Sequence, residues 1–389
     1  MRRRVGIGVV GFGWMGQAHS RSYLRIPTLF HDRAADPVLV ACADTEAPRR
    51  RAAIDDFGFA DAHEDWRDLV ARDDVDVVVV AAPNMLHVEV VEAACAAGKH
   101  VFCEKPVGGT PAQTARAAAA ARRAGVVTGV GYNYRFAPLV RHARTLIADG
   151  RLGDVTLFRA RFFSMYGNDP LGVLSWRFLQ DEAGYGVSSD LLSHALDLAH
   201  LLVGPIRRLV GTRATTISER PLASGGASHY GRGAAGEPTA AVTNEDHVAA
   251  LVEFASGATG TFEASRTLHG PESQLAFDVY GTTGAVEWSL ERMNELRANL
   301  DGEGYTTLLG GDRFPRHGAF VPGAGNPIGY EDLIAIEDFE FLEAGARGEP
   351  HEASFEQALA VAAVQEALVR SWDSGTWEDV VAVREPVGA

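Results

Sequence analysis

Hydrophobic residues in the first 130 positions form short, nearly unbroken runs separated by longer segments of mixed polarity. The predicted strands are 5–10, 38–43, 75–82, 100–103 and 126–129. Unbroken apolar runs of this length are typical of strands that are buried on both faces, as in parallel sheets. Helices are predicted between them, at 14–24, 64–71, 87–97 and 111–123. This alternation predicts a doubly wound parallel sheet, an α/β domain over residues 1–130.

After residue 130 the pattern changes to strands in series. Strands of alternating polarity are predicted at 155–166, 207–217, 246–254, 259–266, 274–280 and 285–290. Helices are predicted at 139–149, 188–202, 330–346 and 354–371, and long loops at 221–241 and 301–327. The pattern predicts an α+β domain over residues 131–389, with a large, mostly antiparallel open sheet and helices on one face. We expect the closing helix, 354–371, to pack back toward the first domain.

Composition and charge limit the classes of protein and the kinds of partner that the sequence is compatible with. A chain of 389 residues is too long for one ordinary core, and 46% hydrophobic with 22% charged residues is typical of a soluble globular protein. The net charge of −15 argues against nucleic acid as a partner, because phosphate backbones need a basic face. No apolar run approaches the roughly 18 residues of a membrane span. Cys42, Cys95 and Cys103 lack C-x-x-C spacing, which predicts reduced thiols in a cytoplasmic protein.

The first apolar strand is followed by a glycine turn with the sequence Gly11-Phe12-Gly13-Trp14-Met15-Gly16. This is G-x-G-x-x-G between a strand and a helix, the context in which the motif predicts dinucleotide binding. Gly11 permits the tight turn, Gly13 lets a pyrophosphate approach the backbone, and Gly16 lets the helix pack close to the strand. Free N–H groups at the start of the helix attract the phosphates. We therefore predict cofactor binding by residues 11–16, with a purely structural turn as the alternative.

Asp44 follows the second apolar strand and is the candidate for binding the ribose of the adenosine half. A carboxylate at this position accepts both ribose hydroxyls and disfavours a 2′-phosphate, so we predict NAD as the cofactor. NADP is the alternative, because Arg49, Arg50 and Arg51 follow closely. Asp44 also suits an N-cap of the next helix, and the two roles are compatible.

Two further strand ends place polar residues at the same edge of the sheet. Pro83 and Asn84 follow one strand, and Glu104 and Lys105 follow the next. Ligands of doubly wound sheets bind at the carboxyl ends of the strands, so these residues are predicted cofactor contacts. Lys105 is also the first catalytic candidate, because an ammonium beside a substrate hydroxyl stabilises a developing alkoxide. A surface lysine is the alternative, although Lys99 is the only other lysine in the chain.

The predicted helix 188–202 carries a polar stripe on an otherwise apolar surface. Asp190 and His194 are four residues apart and share a face, which Asp197 and His200 continue. A carboxylate beside an imidazole fixes its tautomer and raises its basicity, as a general base requires. Three interpretations are open: a catalytic pair, a structural His–Asp pair, or a zinc site on all four side chains. We favour the catalytic pair and expect no metal.

These motifs together resemble the Gfo/Idh/MocA oxidoreductase family, named for glucose-fructose oxidoreductase and inositol dehydrogenase. The resemblance covers nearly the whole chain and includes GFGWMG at 11–16, APNMLH at 82–87, AGKHVFCEKP at 97–106, GYNYRFAP at 131–138 and DLLSHALDLAHLLVG at 190–204. It implies an active site of Lys105, Asp190 and His194, and it places His87 with the cofactor-binding residues. The family's usual threonine before Pro-Asn is Ala82 here. Shorter motifs at 175–178, 219–221, 263–266 and 291–296 are similar to sugar dehydrogenases of the levoglucosan-oxidising kind.

The resemblance implies an NAD(P)-dependent dehydrogenase that oxidises a secondary hydroxyl of a sugar, anhydrosugar or cyclitol. In the expected mechanism His194, oriented by Asp190, takes the hydroxyl proton, Lys105 stabilises the same oxygen, and the hydride goes to the nicotinamide. Two alternatives use similar chemistry. One is a redox-assisted glycoside hydrolase that releases no net NADH, and the other is a non-catalytic sensor of the dinucleotide.

The candidates for the substrate pocket are Asn133, Tyr134, Arg135, Trp176 and Arg177. A flat aromatic ring stacks on a sugar face, and amide or guanidinium donors bind hydroxyl groups. Trp176 in the core and Arg177 in a salt bridge are the ordinary alternatives. The predicted open sheet leaves a broad face uncovered, and the resemblance implies that a homodimer or homotetramer buries it.

Overall fold

Two large β-sheets organise the protein in a computed structural model, which describes residues 2–222, 231–300 and 302–383. The first sheet is parallel and comprises β1 (Arg3–Val10), β2 (Ala35–Ala43), β3 (Asp61–His63), β4 (Val77–Val80), β5 (His100–Cys103) and β6 (Thr128–Val130). Its order, β3-β2-β1-β4-β5-β6, reverses direction between β1 and β4, as in doubly wound sheets. All four residues of β4 are buried, in line with its unbroken apolar sequence. The predicted α/β fold is confirmed.

The helices of this half are α1 (Trp14–Leu29), α2 (Ala47–Asp55), α3 (Trp66–Val70), α4 (Asn84–Ala96) and α5 (Pro111–Ala124). Helix α5 begins at a capping box, in which Thr110 and Gln113 exchange backbone and side-chain hydrogen bonds. It ends at Gly125, which takes the left-handed conformation of a helix C-cap. Helix α1 continues beyond its predicted end at residue 24, because Pro27 is accommodated in its last turn.

The strands of the second half are β7 (Val155–Ser164), β8 (Ile206–Ala214), β9 (Glu219–Pro221), β10 (Thr239–Ala241), β11 (His247–Phe254), β12 (Thr259–Ser265), β13 (Ser273–Gly281), β14 (Ala285–Ser289), β15 (Glu295–Asn299), β16 (Thr306–Leu309) and β17 (Glu378–Asp379). Strands β9 and β10 form a separate antiparallel ribbon. The others form one sheet in the order β16-β15-β14-β13-β7-β12-β11-β8-β17. Strands β7 and β12 run parallel, and the other neighbouring pairs are antiparallel.

The helices of the second half are α6 (Pro138–Ala148), α7 (Gln180–Ala183), α8 (Val187–Asp190), α9 (Leu192–Leu202), α10 (Tyr330–Arg347) and α11 (Phe355–Ser374). Helix α9 packs against the centre of the large sheet, at β7, β12 and β13. Phe158, Phe262 and Phe277 from these strands are buried, and Phe158 contacts the other two. Arg159 and Glu263, on alternate positions, are exposed. The predicted α+β fold with a mostly antiparallel open sheet is confirmed.

Several boundary predictions in this half are wrong. The predicted helix 188–202 is two helices, α8 and α9, interrupted at Leu191. The predicted loop 301–327 contains β16 and a 3₁₀ turn at His317–Ala319, and residue 301 lies outside the described residues. The predicted loop 221–241 is bounded by β9 and β10, and residues 223–230 lie outside the described residues. Short strands with few apolar residues leave too weak a pattern to be detected.

The two halves are joined by packed helices and by backbone hydrogen bonds. Helix α1 contacts α10, and helix α11 contacts both α5 and β6. The Val130 N–H donates to the Ala353 carbonyl, and the Phe355 N–H donates to Thr128 Oγ1. Across the described ranges, none of the helices has the length and apolar character that a membrane crossing requires.

Candidate active site

The glycine turn after β1 has the geometry that a bound pyrophosphate needs. Gly11 has φ of 89°, and a Cβ there would lie 2.6 Å from the backbone of Ala82. A Cβ at Gly16 would lie 2.0 Å from the Gly11 carbonyl oxygen, so the start of α1 sits directly against the turn. A Cβ at Gly13 would meet nothing within 4 Å, which leaves open space above its backbone. The turn therefore fits a dinucleotide phosphate at Gly13 and helix packing at Gly16.

Asp44 lies at the end of β2 with its carboxylate directed back to this turn. The Phe12 N–H donates to Asp44 Oδ2 at 2.7 Å, and the Glu46 N–H donates to Oδ1 at 2.8 Å. The Phe12 side chain is buried between Phe57 and Phe59, so only its backbone faces the turn. Two backbone donors hold the carboxylate in place, and Arg49 Nη1 lies 3.4 Å from Oδ2. Oδ1 keeps capacity for a ribose hydroxyl.

The loops after β4 and β5 are tied together by a buried histidine. His87 is 1% exposed, and its two ring nitrogens lie 2.8 Å from the carbonyl oxygens of Ala82 and Pro106. Burial lowers the pKa of His87, although both carbonyls favour the protonated ring. Of the neighbouring candidates, Pro83 is exposed and Asn84 Nδ2 donates to the Ala183 carbonyl. His87 thus holds the two loops that carry the predicted cofactor contacts, and its own contact with a cofactor stays a prediction.

Lys105 is paired with Asp190 rather than exposed to solvent. Its Nζ lies 2.7 Å from Asp190 Oδ1 and 2.6 Å from the Asp190 carbonyl oxygen. The other carboxylate oxygen, Oδ2, accepts from the Tyr166 hydroxyl at 2.8 Å. Burial alone would raise the pKa of Asp190, but the charges of Lys105 and Arg177 and the hydrogen bonds from Lys105 and Tyr166 hold it well below its usual range. Asp190 is therefore an ionised carboxylate with three partners of its own.

The interruption at Leu191 creates part of this arrangement. Because α8 ends at Asp190 and α9 begins at Leu192, the Asp190 carbonyl is available to accept from Lys105 Nζ. The same break removes the helical spacing on which the shared face of Asp190 and His194 was predicted. Asp190 is directed to Lys105, which lies 85 positions earlier in the chain.

His194 is a buried, neutral imidazole with one enclosed ring nitrogen that has no partner among the described residues. Burial, with a further contribution from the Lys105 charge, lowers its pKa well below the usual 6.5. Its Nδ1 atom is buried and has no hydrogen-bond partner among the described residues. Aromatic rings surround it, with the Tyr134 ring centroid at 4.7 Å, Tyr132 at 5.9 Å and Phe162 at 6.0 Å. A neutral imidazole in this setting has the protonation state of a general base.

The rest of the predicted polar stripe has a different role. Asp197 forms a buried ion pair with Arg135, with distances of 2.5 and 3.0 Å between their polar atoms, and it also accepts from Gln357. Arg135 donates to the Glu352 carbonyl as well. Within residues 2–222, 231–300 and 302–383, no group of three or more His, Cys, Asp or Glu side chains is placed to hold a metal ion. Asp190 and Asp197 of the predicted stripe therefore have different partners, Lys105 and Arg135. The Arg135 guanidinium is already paired with Asp197.

Asn133 and Tyr134 lie in a 3₁₀ turn after β6 and are both buried. The buried Asn133 amide shares a side-chain hydrogen bond with Tyr330. Tyr134 packs against His194 on one side and against Tyr330, from the start of α10, on the other. Tyr330 in turn stacks on Trp14 of the glycine turn, with ring centroids 5.5 Å apart. An aromatic row thus connects the cofactor turn to the predicted base.

Trp176 and Arg177 form a second wall near the same carboxylate. The Arg177 guanidinium stacks over the Trp176 ring at 4.3 Å, and its charge helps to lower the pKa of Asp190. The Arg177 carbonyl accepts from Arg266 and Asn244, which holds this turn in place. Both side chains are partly exposed, as a substrate contact requires.

Sequence reasoning missed Tyr166 and Tyr330. Tyr166 lies just after β7, and the sequence contains no motif that distinguishes it from an ordinary strand-end tyrosine. Tyr330 opens the last-but-one helix, far along the chain from both Tyr134 and Trp14, which it contacts. The fold of the second half brings Tyr166 to Asp190, and the packing of the two halves brings Tyr330 to Trp14.

The chain matches known oxidoreductases along most of its length. The family model described as "Oxidoreductase family, NAD-binding Rossmann fold" matches residues 5–132, and one described as "GFO/IDH/MocA C-terminal domain" matches residues 140–287. Levoglucosan dehydrogenase of Pseudarthrobacter phenanthrenivorans is 35% identical over 97% of this chain and 98% of that protein. Inositol 2-dehydrogenase of Rhizobium meliloti is 26% identical over 94% and 96%.

A solved structure has the same fold over nearly the whole chain. The complex of a levoglucosan dehydrogenase with NADH and levoglucosan superposes with a TM-score of 0.90 and 33% sequence identity. The match covers 97% of this chain and all of that one. The similarity therefore extends over both halves of the chain.

Proposed function

Since this chain belongs to the Gfo/Idh/MocA family of NAD-binding oxidoreductases, we propose that it oxidises a secondary hydroxyl of a sugar, anhydrosugar or cyclitol with NAD as the hydride acceptor. It is an NAD-dependent dehydrogenase, and NAD binds in its first domain. The observation that carries the substrate chemistry is the Lys105–Asp190 ion pair beside a neutral, unpartnered His194. One group there donates to an oxygen and another accepts a proton, as alcohol oxidation requires.

The residues at the strand ends fit the cofactor. Gly13 offers open backbone to the pyrophosphate, and the Asp44 carboxylate is held beside the turn by the Phe12 N–H. Trp14 and Met15 complete the turn. Glu104 and Lys105 follow β5, and Lys105 pairs with Asp190 of the second domain. The bound nicotinamide supplies the hydride acceptor. We place the reacting carbon beside Lys105, because that side chain reaches from the end of β5 to Asp190.

The proton is handled by His194 and Lys105. The substrate hydroxyl donates to the neutral His194 imidazole. Lys105 donates to the same oxygen and stabilises the negative charge that develops as the proton leaves. Asp190 balances the Lys105 charge rather than orienting His194, so the expected role of Asp190 is changed. The mechanism thus needs His194 neutral and Lys105 charged at the same pH.

Hydrogen-bond donors for the substrate hydroxyls and an aromatic ring for the face of the sugar lie near Lys105 and His194. We assign Asn133 Nδ2, the Arg177 guanidinium and the Trp176 ring to substrate, with Tyr134 as the wall behind His194. Arg135 is left out, because its guanidinium already pairs with Asp197.

The test is NADH formation, measured by absorbance with NAD and NADP in parallel and a panel of anhydrosugars, pyranosides and cyclitols. Levoglucosan leads the panel, because a dehydrogenase for it is among the relatives. We expect net NADH with at least one anhydrosugar or cyclitol, and little turnover with NADP. Release of an aglycone without net NADH would point to the redox-assisted hydrolase. NAD binding without turnover across the panel would favour the sensor. The named relatives support neither of these two.

We also propose a homo-oligomer that uses the outer face of the large sheet. Leu251 on β11 is 53% exposed on this face, beside the charged side chains of Arg159 and Glu263. Burying such a face offsets the cost of leaving an open sheet in water. Light scattering that gives a monomer at micromolar concentration would reject this assembly.

A cytoplasmic location is proposed on the three free cysteines alone.

A further inference from the structure

We propose that Tyr166 is a positioning residue of this active site: its hydroxyl, aligned by Arg266, holds the Asp190 carboxylate on Lys105 and keeps it away from His194. The inference rests on the proposed dehydrogenase function, which needs a neutral His194 and a charged Lys105. It assigns a role to a tyrosine that lies outside every sequence motif of the chain.

The first support is the way in which the Asp190 carboxylate is shared. Tyr166 donates to Oδ2 at 2.8 Å, and Lys105 Nζ donates to Oδ1 at 2.7 Å. Because each oxygen has its own donor, on opposite sides of the group, the carboxylate cannot rotate without losing one of them. Lys105 is also held by the Asp190 carbonyl, so the lysine and the carboxylate are fixed relative to each other.

The second support is the direction of the hydrogen bonds at Tyr166. Arg266 shares a side-chain hydrogen bond with Tyr166. A guanidinium only donates, so the phenol oxygen accepts from Arg266 and its own proton is left for Asp190. Arg266 itself is fully buried, paired with Asp246 at 2.7 Å and bonded to Asn244 at 2.7 Å. Buried residues that flank β11 and β12 therefore set the orientation of the hydroxyl.

The third support is the state of His194. The charged and titratable groups that act on it are Lys105 and Asp190, and the rings of Tyr132 and Tyr134 pack against it. Asp190 lies close enough to favour the imidazolium form, yet no hydrogen bond joins the two side chains in the described ranges. If the carboxylate turned from Tyr166 to His194, the ring would gain a carboxylate partner and its pKa would rise. Tyr166 prevents that exchange of partners.

The decisive variant is Tyr166→Phe, which removes one hydroxyl and keeps the ring. We expect kcat to fall roughly 10- to 100-fold, the effect of losing a hydrogen bond to a charged group. The KM for NAD should stay unchanged, because Tyr166 contacts neither the glycine turn nor Asp44. The acid limb of the kcat/KM profile should move to higher pH, since His194 would now protonate more readily.

The matched control is Tyr23→Phe. Tyr23 is fully buried, whereas Tyr166 is half-buried, and the Tyr23 hydroxyl has no hydrogen-bond partner in the part of the chain that the structure describes. This variant removes the same atom from a buried ring outside the site. Its kcat and its pH profile should match those of the unmodified enzyme.

A second readout does not depend on turnover. Nuclear magnetic resonance of the NADH-bound enzyme with isotope-labelled histidine follows the His194 titration, and the signal is assigned by its loss in His194→Asn. We expect the His194 pKa to rise in Tyr166→Phe and to stay in place in Tyr23→Phe. An unchanged His194 titration, or a loss of kcat without movement of the acid limb, would overturn the proposal. A lack of NADH formation in the unmodified enzyme would instead reject the proposed function, and the titration would still decide the role of Tyr166.

Discussion

Lys105 shows how one residue acquires its chemical role from a main-chain irregularity. Its ammonium lies between the side chain and the carbonyl of Asp190, and that carbonyl is available because the helix breaks at Leu191. Two acceptors hold the ammonium at one position, and a third direction is left for a substrate oxygen. The side chain is 16% exposed, so most of it is shielded from bulk water.

Replacing Lys105 by alanine tests this role at the scale of one residue. We expect Lys105→Ala to lower kcat by about 10²–10⁴-fold, because it removes the donor to the developing alkoxide. NADH binding, measured by fluorescence titration, should remain within a few-fold of the unmodified enzyme. The matched control is Lys99→Ala, since Lys99 is the only other lysine and donates to the Arg72 carbonyl. Full turnover in Lys105→Ala would reject the proposed proton chemistry.

At the scale of one element, the turn between β1 and α1 requires glycine at two positions for two different reasons. At Gly16 the missing Cβ allows close packing against the Gly11 carbonyl, and at Gly13 it leaves open space. Gly13 has φ of −73°, which any residue adopts, so backbone strain does not require glycine there. The motif therefore contains a folding requirement and a binding requirement at positions three residues apart.

These two requirements predict opposite outcomes for two alanine variants. Gly13→Ala should change the free energy of unfolding of the cofactor-free protein by less than about 1 kcal/mol. It should weaken NAD binding by roughly tenfold or more, because the new methyl group occupies the approach of the pyrophosphate. Gly16→Ala should cost about 2 kcal/mol or more of stability, since its Cβ would lie 2.0 Å from a carbonyl oxygen.

Urea unfolding and calorimetric titration with NAD measure the two effects. Both variants add one methyl group, so each serves as the control for the other. Equal losses of stability in Gly13→Ala and Gly16→Ala would contradict this division of roles.

At the scale of the whole molecule, His19 links the two domains through charge. This buried histidine on α1 lies 2.9 Å from Asp338 on α10 and 3.1 Å from Glu104 at the end of β5. Both ring nitrogens face carboxylates, so both must donate and the ring is an imidazolium. Burial opposes that charge, but the two carboxylates raise the pKa of His19 well above 6.5. The cation thus joins the cofactor helix, the Lys105 loop and the second domain.

This arrangement predicts a pH-dependent contribution to stability. A pKa that is raised on folding stabilises the protein fully below the unfolded value of 6.5, and the contribution is lost as pH rises toward the folded value. His19→Gln should therefore lower the free energy of unfolding by about 3–5 kcal/mol at pH 6. The difference between the two proteins should shrink steadily as pH is raised above 6.5.

Urea unfolding at a series of pH values gives both curves. The control is Glu337→Gln in the same cluster. Burial raises the pKa of Glu337 well above 4.5, and neither of its oxygens has a partner among the described residues, so its carboxyl is already neutral. That variant should keep its stability at pH 7. A pH-independent gap between His19→Gln and the unmodified protein would show that His19 contributes packing and not charge.

The sequence alone determined the features that depend on neighbouring positions. Unbroken apolar runs predicted the parallel sheet, the glycine turn predicted the cofactor end of that sheet, and the strand ends placed Asp44 and Lys105 there. These predictions succeed because strand burial, tight turns and strand ends are set by residues a few positions apart. The order of the domains along the chain follows from the same local patterns.

Only the tertiary structure decided which side chains meet. Helical spacing suggested that Asp190 orients His194, but Asp190 pairs with Lys105 across 85 positions and with Tyr166 across 24. Asp197, expected on the same stripe, pairs with Arg135 across 62 positions. The break at Leu191 and the packing of the large sheet fix these pairs, and neither leaves a periodic signal in the sequence. Local spacing determines where a residue lies on its element, whereas the partner of a buried charge is chosen by whatever opposite charge or donor the fold brings within reach.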